Sequence, residues 1–358
     1  MMKVKTNTLQ EGCILSKDVY SKTNRPILLA KTIIDQEKKR ILNAFLIKEV
    51  SVERTMIDGK KFSPKEIIDA EETDTSLRLS KFITSYLHVV QQFKRLFKGW
   101  QAGASFDIIE VRKIYIPLLE QALSDEKDIF HLHHYSTKDD YFYHHAISVG
   151  LISGYIAKKL GFEMGNIVQV SLGGCLSDVG MAKVPKGILE KDIPLSFEEY
   201  NEIKKHPIYG FKMLEKSSSL KKEVKIAVLQ HHERLDGSGY PGGEKEDRIH
   251  IYSKIVAVAD VYHAMISERT YRSKQSPYRV WEMIRHDDFG KFDLKVIKAL
   301  ATGVVQIVIG SNVKLSNGTT GEVLYINNTY PTRPTIKLKN NELLDLEKNR
   351  SIFIEQII

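Results

Sequence analysis

Apolar positions change their period along this chain, and the changes mark out its parts. Over residues 1 to about 60, VYSKTNRPILLAKTII alternates weakly and carries turn formers, which predicts short strands. IDQEKKRILNAFLI then spaces Ile34, Ile41, Leu42, Phe45 and Leu46 at helical intervals, so a small α+β module is expected here. Residues 61–130 read as a helical connector. Ser63-Pro64-Lys65-Glu66 offers an N-cap, a proline at the first helical position and an early acid. Phe82, Tyr86, Val89, Val90, Phe93 and Phe97 form a stripe of the kind that faces a core. Residues 131–302 are a run of helices with histidines at their ends and links. After Gly303 the pattern becomes short and alternating, in KLSNGTTGEVLYINN around Asn317-Gly318 and Gly321, then in TRPTIKL and RSIFIEQII. A small all-β barrel over 303–358 is expected. The fold class is mainly α, with an all-helical central domain between two small modules.

Composition narrows the partners. The chain has 358 residues, enough for two or three domains, and its 42% hydrophobic and 27% charged content is that of a soluble globular protein. Lysine and arginine exceed acids by 53 − 45 = 8, which favours an anionic ligand. The charges are dispersed and not interleaved with aromatics, so a nucleotide fits better than a polynucleotide. Cys13 and Cys175 are the two cysteines, which implies a reducing compartment rather than a disulfide framework. Neither a secretory signal nor an apolar run of roughly 18 residues is visible, so a cytoplasmic protein without a transmembrane segment is expected. Oligomeric state, and a protein partner for the terminal modules, stay open.

The chemistry concentrates in the helical middle. His231, His232 and Glu233 run into Asp236-Gly237-Ser238-Gly239-Tyr240-Pro241. Tandem histidines suit a first-row transition metal, and the glycines suit a backbone that turns sharply beside a ligand. A histidine-rich surface loop would read the same way. His145 in YFYHHAISVG, Asp178 in CLSDVG, His206 before Pro207 and Asp260 in IVAVADVYHAM bring the candidate ligands to six. Singly, most have plain alternatives: a core histidine, a helix-capping aspartate, a helix–loop junction. Asp260 resists one, because a carboxylate inside an apolar helix is costly unless paired or metal-bound.

Taken in order, YFYHHAISVG, LSDVGMAKVPKGIL, LSFEEYNEIKKHPIYG, HHERLDGSGYPGG and VAVADVYHAMISERTYR resemble the successive motifs of the HD-GYP domain, a branch of the HD phosphohydrolases. The resemblance covers about 135 to 290. It implies an all-helical HD-type metal-binding domain, two or three iron or manganese ions, and cyclic di-GMP as substrate. In the family's pattern Asp178 bridges two ions; His206, His231 and His232 hold one with it, and His145 and Asp260 the other. Ions about 3.5–4 Å apart generate hydroxide near neutral pH. By the resemblance, that hydroxide would attack phosphorus in line while the ions and nearby arginines would take the developing charge. Tyr240 would line the pocket, Arg269 and Arg272 would face phosphate, and Gly237 and Gly239 would let the loop close on the substrate.

This chain departs from the pattern at four places. Ser177 stands where the HD histidine belongs, and Met181 where a lysine belongs. His263 replaces the second aspartate after Asp260, and Tyr141 replaces the glutamate of a third metal site. The His206–His231–His232 side keeps its ligands, while the other loses an imidazole, so one or two ions are expected. His263, three residues after Asp260 on the same helical face, is the candidate replacement. His144 points about 100° away from His145 and is less well placed. Three readings follow: a metal-dependent phosphodiesterase acting on cyclic di-GMP, weakened by these losses; a catalytically degenerate receptor for the dinucleotide or a partner protein; or a hydrolase of another small nucleotide. The HHE and GYP segments and the arginine pair favour the first, Ser177 and Met181 the second.

Overall fold

The computed structural model describes residues 2–20, 26–63, 81–136, 140–191, 193–267, 275–286 and 290–358. They divide into two units, Met1–His88 and Val89–Ile358. In the first unit the weakly alternating N-terminal residues make short strands: β1 (Met2–Lys5), β2 (Val19–Tyr20) and β3 (Pro26–Leu28), followed by helix α1 (Gln36–Ala44) and β4 (Glu49–Val52). The pairs are β1 with β4 and β2 with β3, both antiparallel. Asp35 starts α1 by accepting a hydrogen bond from the Lys38 amide, which satisfies one of the free N–H groups of the first turn. Val4, Leu15, Ile34, Leu42, Val50, Val52 and Phe62 form the core of this unit. The capping signal at Ser63-Pro64-Lys65-Glu66 runs into residues 64–80, outside the described residues.

Helix α2 (Lys81–Gln101) carries the predicted stripe, with Tyr86, Val89, Val90, Phe93 and Phe97 buried and Phe82 half-buried. The second unit continues with α3 (Ile108–Ser124), a 3-10 stretch (Glu126–Tyr135), α4 (Tyr141–Lys159), α5 (Met164–Cys175), a 3-10 turn (Val179–Lys183), α6 (Lys186–Leu189) and α7 (Phe197–Ile203). Then come α8 (His206–Leu214), α9 (Lys222–Gln230), α10 (Ile251–Ile266), α11 (Pro277–His286) and α12 (Leu294–Val304). A helix apolar on every side belongs in the middle of a bundle. So it is here: α4 is buried without a break from His144 to Ala157, and α10 is buried on most of its surface. The backbones of α4 and α5 approach closely, since a Cβ on Gly150 would lie 2.9 Å from the Ser171 carbonyl oxygen. Among the described residues, no helix is long and apolar enough to cross a membrane.

The C-terminal residues form β5 (Asn312–Leu315), β6 (Thr320–Tyr325), β7 (Thr335–Leu338), β8 (Leu343–Asp345) and β9 (Ile354–Ile357). They make one antiparallel sheet in the order β8-β7-β6-β5-β9. Gly318, at φ +83°, turns the chain between β5 and β6. Val313, Leu315, Val323, Ile336, Leu346 and Ile354 form its core. The sequence leads one to expect a closed barrel; among the described residues β8 and β9 lie at opposite ends of the order, so what is seen is a five-stranded sheet. Closure needs long-range pairing of the two end strands, which alternation alone does not specify. The sheet is fastened to α11: Arg333 donates from Nε to Glu282 Oε1 at 2.8 Å and from a terminal nitrogen to the Ile352 carbonyl at 2.8 Å. Ser276 donates to the Ile354 carbonyl at 2.6 Å.

Candidate metal centre

The centre is built on the turn that follows α5. Ser177 is buried and donates its hydroxyl to the Gly174 carbonyl at 2.9 Å, closing the end of the helix. Asp178 comes next, and its carboxylate makes no capping bond. It reaches the histidines instead. Oδ1 lies 3.1 Å from His206 Nε2 and 3.7 Å from His231 Nε2, while Oδ2 lies 3.7 Å from His145 Nε2. Gly180 makes the approach of α8 possible, because a Cβ there would lie 2.0 Å from the His206 carbonyl oxygen and 2.4 Å from the Gly210 nitrogen.

His206 opens α8, and His231 ends α9. Each donates its Nδ1 proton to a backbone carbonyl at 2.8 Å, Ile203 for the first and Val228 for the second. With Nδ1 protonated, each neutral ring keeps a bare lone pair on Nε2. Those two Nε2 atoms lie 3.2 Å apart beside Asp178 Oδ1. Three acceptors turned on one point inside a protein repel each other unless a cation sits among them. The ligand atoms of Asp178, His206, His231 and His232 all lie within 4.8 Å of one another. The same holds for His145, Asp178 and Asp260, so Asp178 belongs to both groups. The six candidate ligands read from the sequence are thus brought together from four helices and a turn.

Two of the other histidines are placed elsewhere. His263 is buried on α10, but it joins neither group: its Nδ1 lies 3.0 Å from Nδ1 of His145, on the far side of that ring from Asp260. The expectation that it replaces the missing imidazole as a ligand is therefore corrected. Helical spacing puts it on the face of Asp260, but the His145 ring from α4 spans the distance between them. His144 is also buried outside both groups, and burial pushes its imidazole down to about 4, with Asp140 working against the shift.

Charge in the site favours a cation. Burial works against ionising Asp178, yet the imidazoles of His206 and His231 beside it outweigh burial and hold the carboxyl well below the usual carboxylate range. Asp260 is likewise held low against burial, by its bond to His145 at 2.9 Å and by His232. Burial, then the neighbouring His231, lowers His232 well below the usual imidazole range, so it stays neutral and able to donate a lone pair. Tyr240 stands at the rim with its ring centroid 4.6 Å from that of His232. Burial followed by the charges of Asp178 and Asp260 raises its phenol, which stays protonated.

The loop after the histidine pair is held by groups whose role the sequence did not disclose. Glu233 is buried and accepts from the Gly242 amide at 2.7 Å and the Glu244 amide at 3.0 Å. Glu233 is not among the six candidate ligands of the sequence, and the fold turns it toward the loop and not toward either group. Gly239 leaves no room for a side chain, since a Cβ would lie 2.4 Å from the His232 carbonyl oxygen. Gly237 takes the left-handed backbone at φ +83°. Arg269 and Arg272 lie outside the described residues.

The family model of the HD domain matches residues 117–296, half of the chain. The chain belongs to the HD domain family, in its HD-GYP branch. A cyclic di-GMP phosphodiesterase of Pseudomonas aeruginosa is 29% identical over 245 residues, 68% of this chain and 58% of that protein. A cyclic di-GMP phosphodiesterase of Thermotoga maritima is 42% identical over 131 residues, 36% of this chain and 35% of its own length. The HD-GYP chain thus spans well under two thirds of each of these relatives. An HDG"Y"P protein from Bdellovibrio bacteriovorus superposes with a TM-score of 0.52 at 17% identity, covering 84% of this chain and 98% of that one, which shows the same fold. An HD-GYP centre calls for divalent metal, and the donor set fits: mixed imidazole and carboxylate, two lone pairs fixed toward one point, and a carboxylate shared between two groups.

Proposed function

We propose that this chain is a metal-dependent phosphodiesterase that hydrolyses cyclic di-GMP, using one or two iron or manganese ions. The observation that carries the reading is the two-sided Asp178 carboxylate, with one oxygen toward each ligand group. When bound, the metal supplies Lewis acidity and an activated water. His206 and His231 are oriented for their part before any ligand arrives, because backbone carbonyls hold their Nδ1 protons. Asp178 and Asp260 supply negative charge that a divalent ion offsets. Tyr240 would bound the substrate pocket on the His232 side, with Gly237 and Gly239 shaping the loop and Arg269 and Arg272 contacting phosphate. We read the chain as four parts, 1–60, 61–130, 131–302 and 303–358, the last a small barrel-like module, in a protein working in the cytoplasm.

A second reading has its own support. Ser177 spends its hydroxyl on Gly174, and His263 stands outside the ligand groups, so nothing described replaces the lost imidazole. A centre short of a ligand would suit a receptor that binds the dinucleotide without cutting it. The deciding experiment is cyclic di-GMP turnover by the full chain, purified anaerobically with iron or manganese, beside Asp178→Asn. Hydrolysis that disappears in the variant supports the phosphodiesterase. Binding without turnover in metal-replete protein would sink that reading and leave the receptor. Faster turnover of a different cyclic dinucleotide would overturn the choice of substrate.

A further inference from the structure

The His145 ring is engaged at both ends. Its Nε2 lies 2.9 Å from Asp260 Oδ1 and 3.7 Å from Asp178 Oδ2. Its Nδ1 lies 3.0 Å from Nδ1 of His263 and 3.1 Å from the Tyr141 hydroxyl. Ser267 Oγ is 3.4 Å from Nδ1 and 3.5 Å from Nε2 of His263. Two ring nitrogens at 3.0 Å share one proton: one donates and the other accepts. That choice decides what the other end of His145 can do. If Nδ1 of His145 carries the proton, His263 accepts it, and Nε2 of His145 offers a lone pair to an ion. If Nδ1 of His263 carries it, His145 accepts, its own proton sits on Nε2, and that nitrogen donates to Asp260. The 2.9 Å separation from Asp260 is an ordinary N–H···O length.

A carboxylate behind His145 could only accept, and would hold the ring in its ligand form. An imidazole there can do either. Resting on the metal-centre reading above, we infer that His263 is a positioning residue that makes the His145–Asp178–Asp260 ion site conditional, by switching His145 between metal ligand and hydrogen-bond donor to Asp260. Both rings stay neutral in the exchange. The proton on His263 Nδ1 passes to His145 Nδ1, the proton on His145 Nε2 leaves to water as the ion takes its place, and water returns a proton to His263 Nε2 by way of Ser267 Oγ, 3.5 Å away. The two ion sites of the chain are then unequal. The Asp178–His206–His231–His232 group, in which backbone carbonyls fix the tautomers of His206 and His231, fills first.

The test is a manganese titration of metal-free full-length protein, followed by electron paramagnetic resonance, which separates a lone ion from a spin-coupled pair. His263→Asp and His263→Phe are compared with the native chain. The native chain should take a second ion at least about tenfold more weakly than the first, within the range of outer-shell effects. His263→Asp should tighten the second ion about tenfold, because a charged acceptor holds the Nδ1 proton more strongly. His263→Phe should weaken it by about 10- to 100-fold. Neither change should move the first ion. A residue that merely fills space would weaken the second ion in both variants, and that result overturns the inference. So does equal affinity for the two ions in the native chain. Nitrogen shifts of His145 in labelled native protein give a measurement free of any variant: they should report Nε2–H without metal and Nδ1–H with two ions, and an unchanged tautomer refutes the switch. If the native chain and Asp178→Asn both bind no manganese, the metal-centre reading itself fails.

Discussion

Glu233 sits inside the signature segment, yet the fold assigns it to the loop and not to the metal groups, and Glu233→Gln separates those roles. The native carboxylate is 3% exposed and accepts from the amides of Gly242 and Glu244. Glutamine keeps one carbonyl oxygen and turns an NH2 donor toward the other amide. One charge-assisted bond becomes a neutral one, a loss of about 1 kcal/mol, and the other charge-assisted bond is lost outright, a loss of about 2 kcal/mol. The sum, about 3 kcal/mol, corresponds to roughly a hundredfold in the opening equilibrium of the loop. Hydrogen exchange reads this directly. Amides of Gly242 and Glu244 should exchange roughly a hundredfold faster, while those of α4, α5 and α10 stay as they were. Turnover should suffer through KM, since Tyr240 rides on the same loop and its amide bonds the His232 carbonyl. Metal content should hold, because Glu233 is in neither ligand group. Unchanged exchange at both amides, or lost metal, would refute the assignment.

Other consequences follow from single contacts. In Gly180→Ala the new Cβ would lie 2.0 Å from the His206 carbonyl oxygen, so α8 must withdraw by 3.4 − 2.0 = 1.4 Å to reach ordinary contact. The 3.1 Å approach of His206 to Asp178 cannot survive that; metal content should fall in a protein of native helicity, and full occupancy would disprove the argument. Replacing Glu282 by leucine leaves the mostly buried Arg333 without its carboxylate. Urea unfolding should lose about 3 kcal/mol, and an unmoved midpoint would show that the carbonyls around Arg333 suffice. His144 has its imidazole lowered to about 4 by burial, so the unfolded chain binds a proton near pH 6 that the folded chain refuses. Its contribution is present above the unfolded value of about 6.5 and is lost as pH falls toward 4, about 2 kcal/mol by pH 5. His144→Leu should flatten stability between pH 7 and 5; a slope equal to the native one would refute it.

Much of the helical unit was legible without coordinates, because its signals are local. The stripe of Tyr86, Val89, Val90, Phe93 and Phe97 repeats at the helical period, and any such stripe must find a core. The one carboxylate in the apolar run of α10 announced a paired or metal-bound group, and Asp260 is indeed buried against His145. The order of five motifs singled out six candidate ligands, and the fold brings their side chains into two groups that share Asp178. What the sequence could not decide is which side of a partner each group meets. His145 and Asp260 are 115 residues apart, and His145 and His263 are 118 apart. Spacing on α10 put His263 on the right face, but the ring of His145, carried in by α4, took the position beside Asp260. Ser177 could equally have faced the centre, until the end of α5 claimed its hydroxyl for Gly174. Closure of the C-terminal sheet and the turn of Glu233 toward its loop are of the same kind. Periodicity and chain order determine the elements and the inventory of chemical groups. The packing of helices distant in sequence decides which lone pair faces which oxygen, and on this the chemistry of the centre depends.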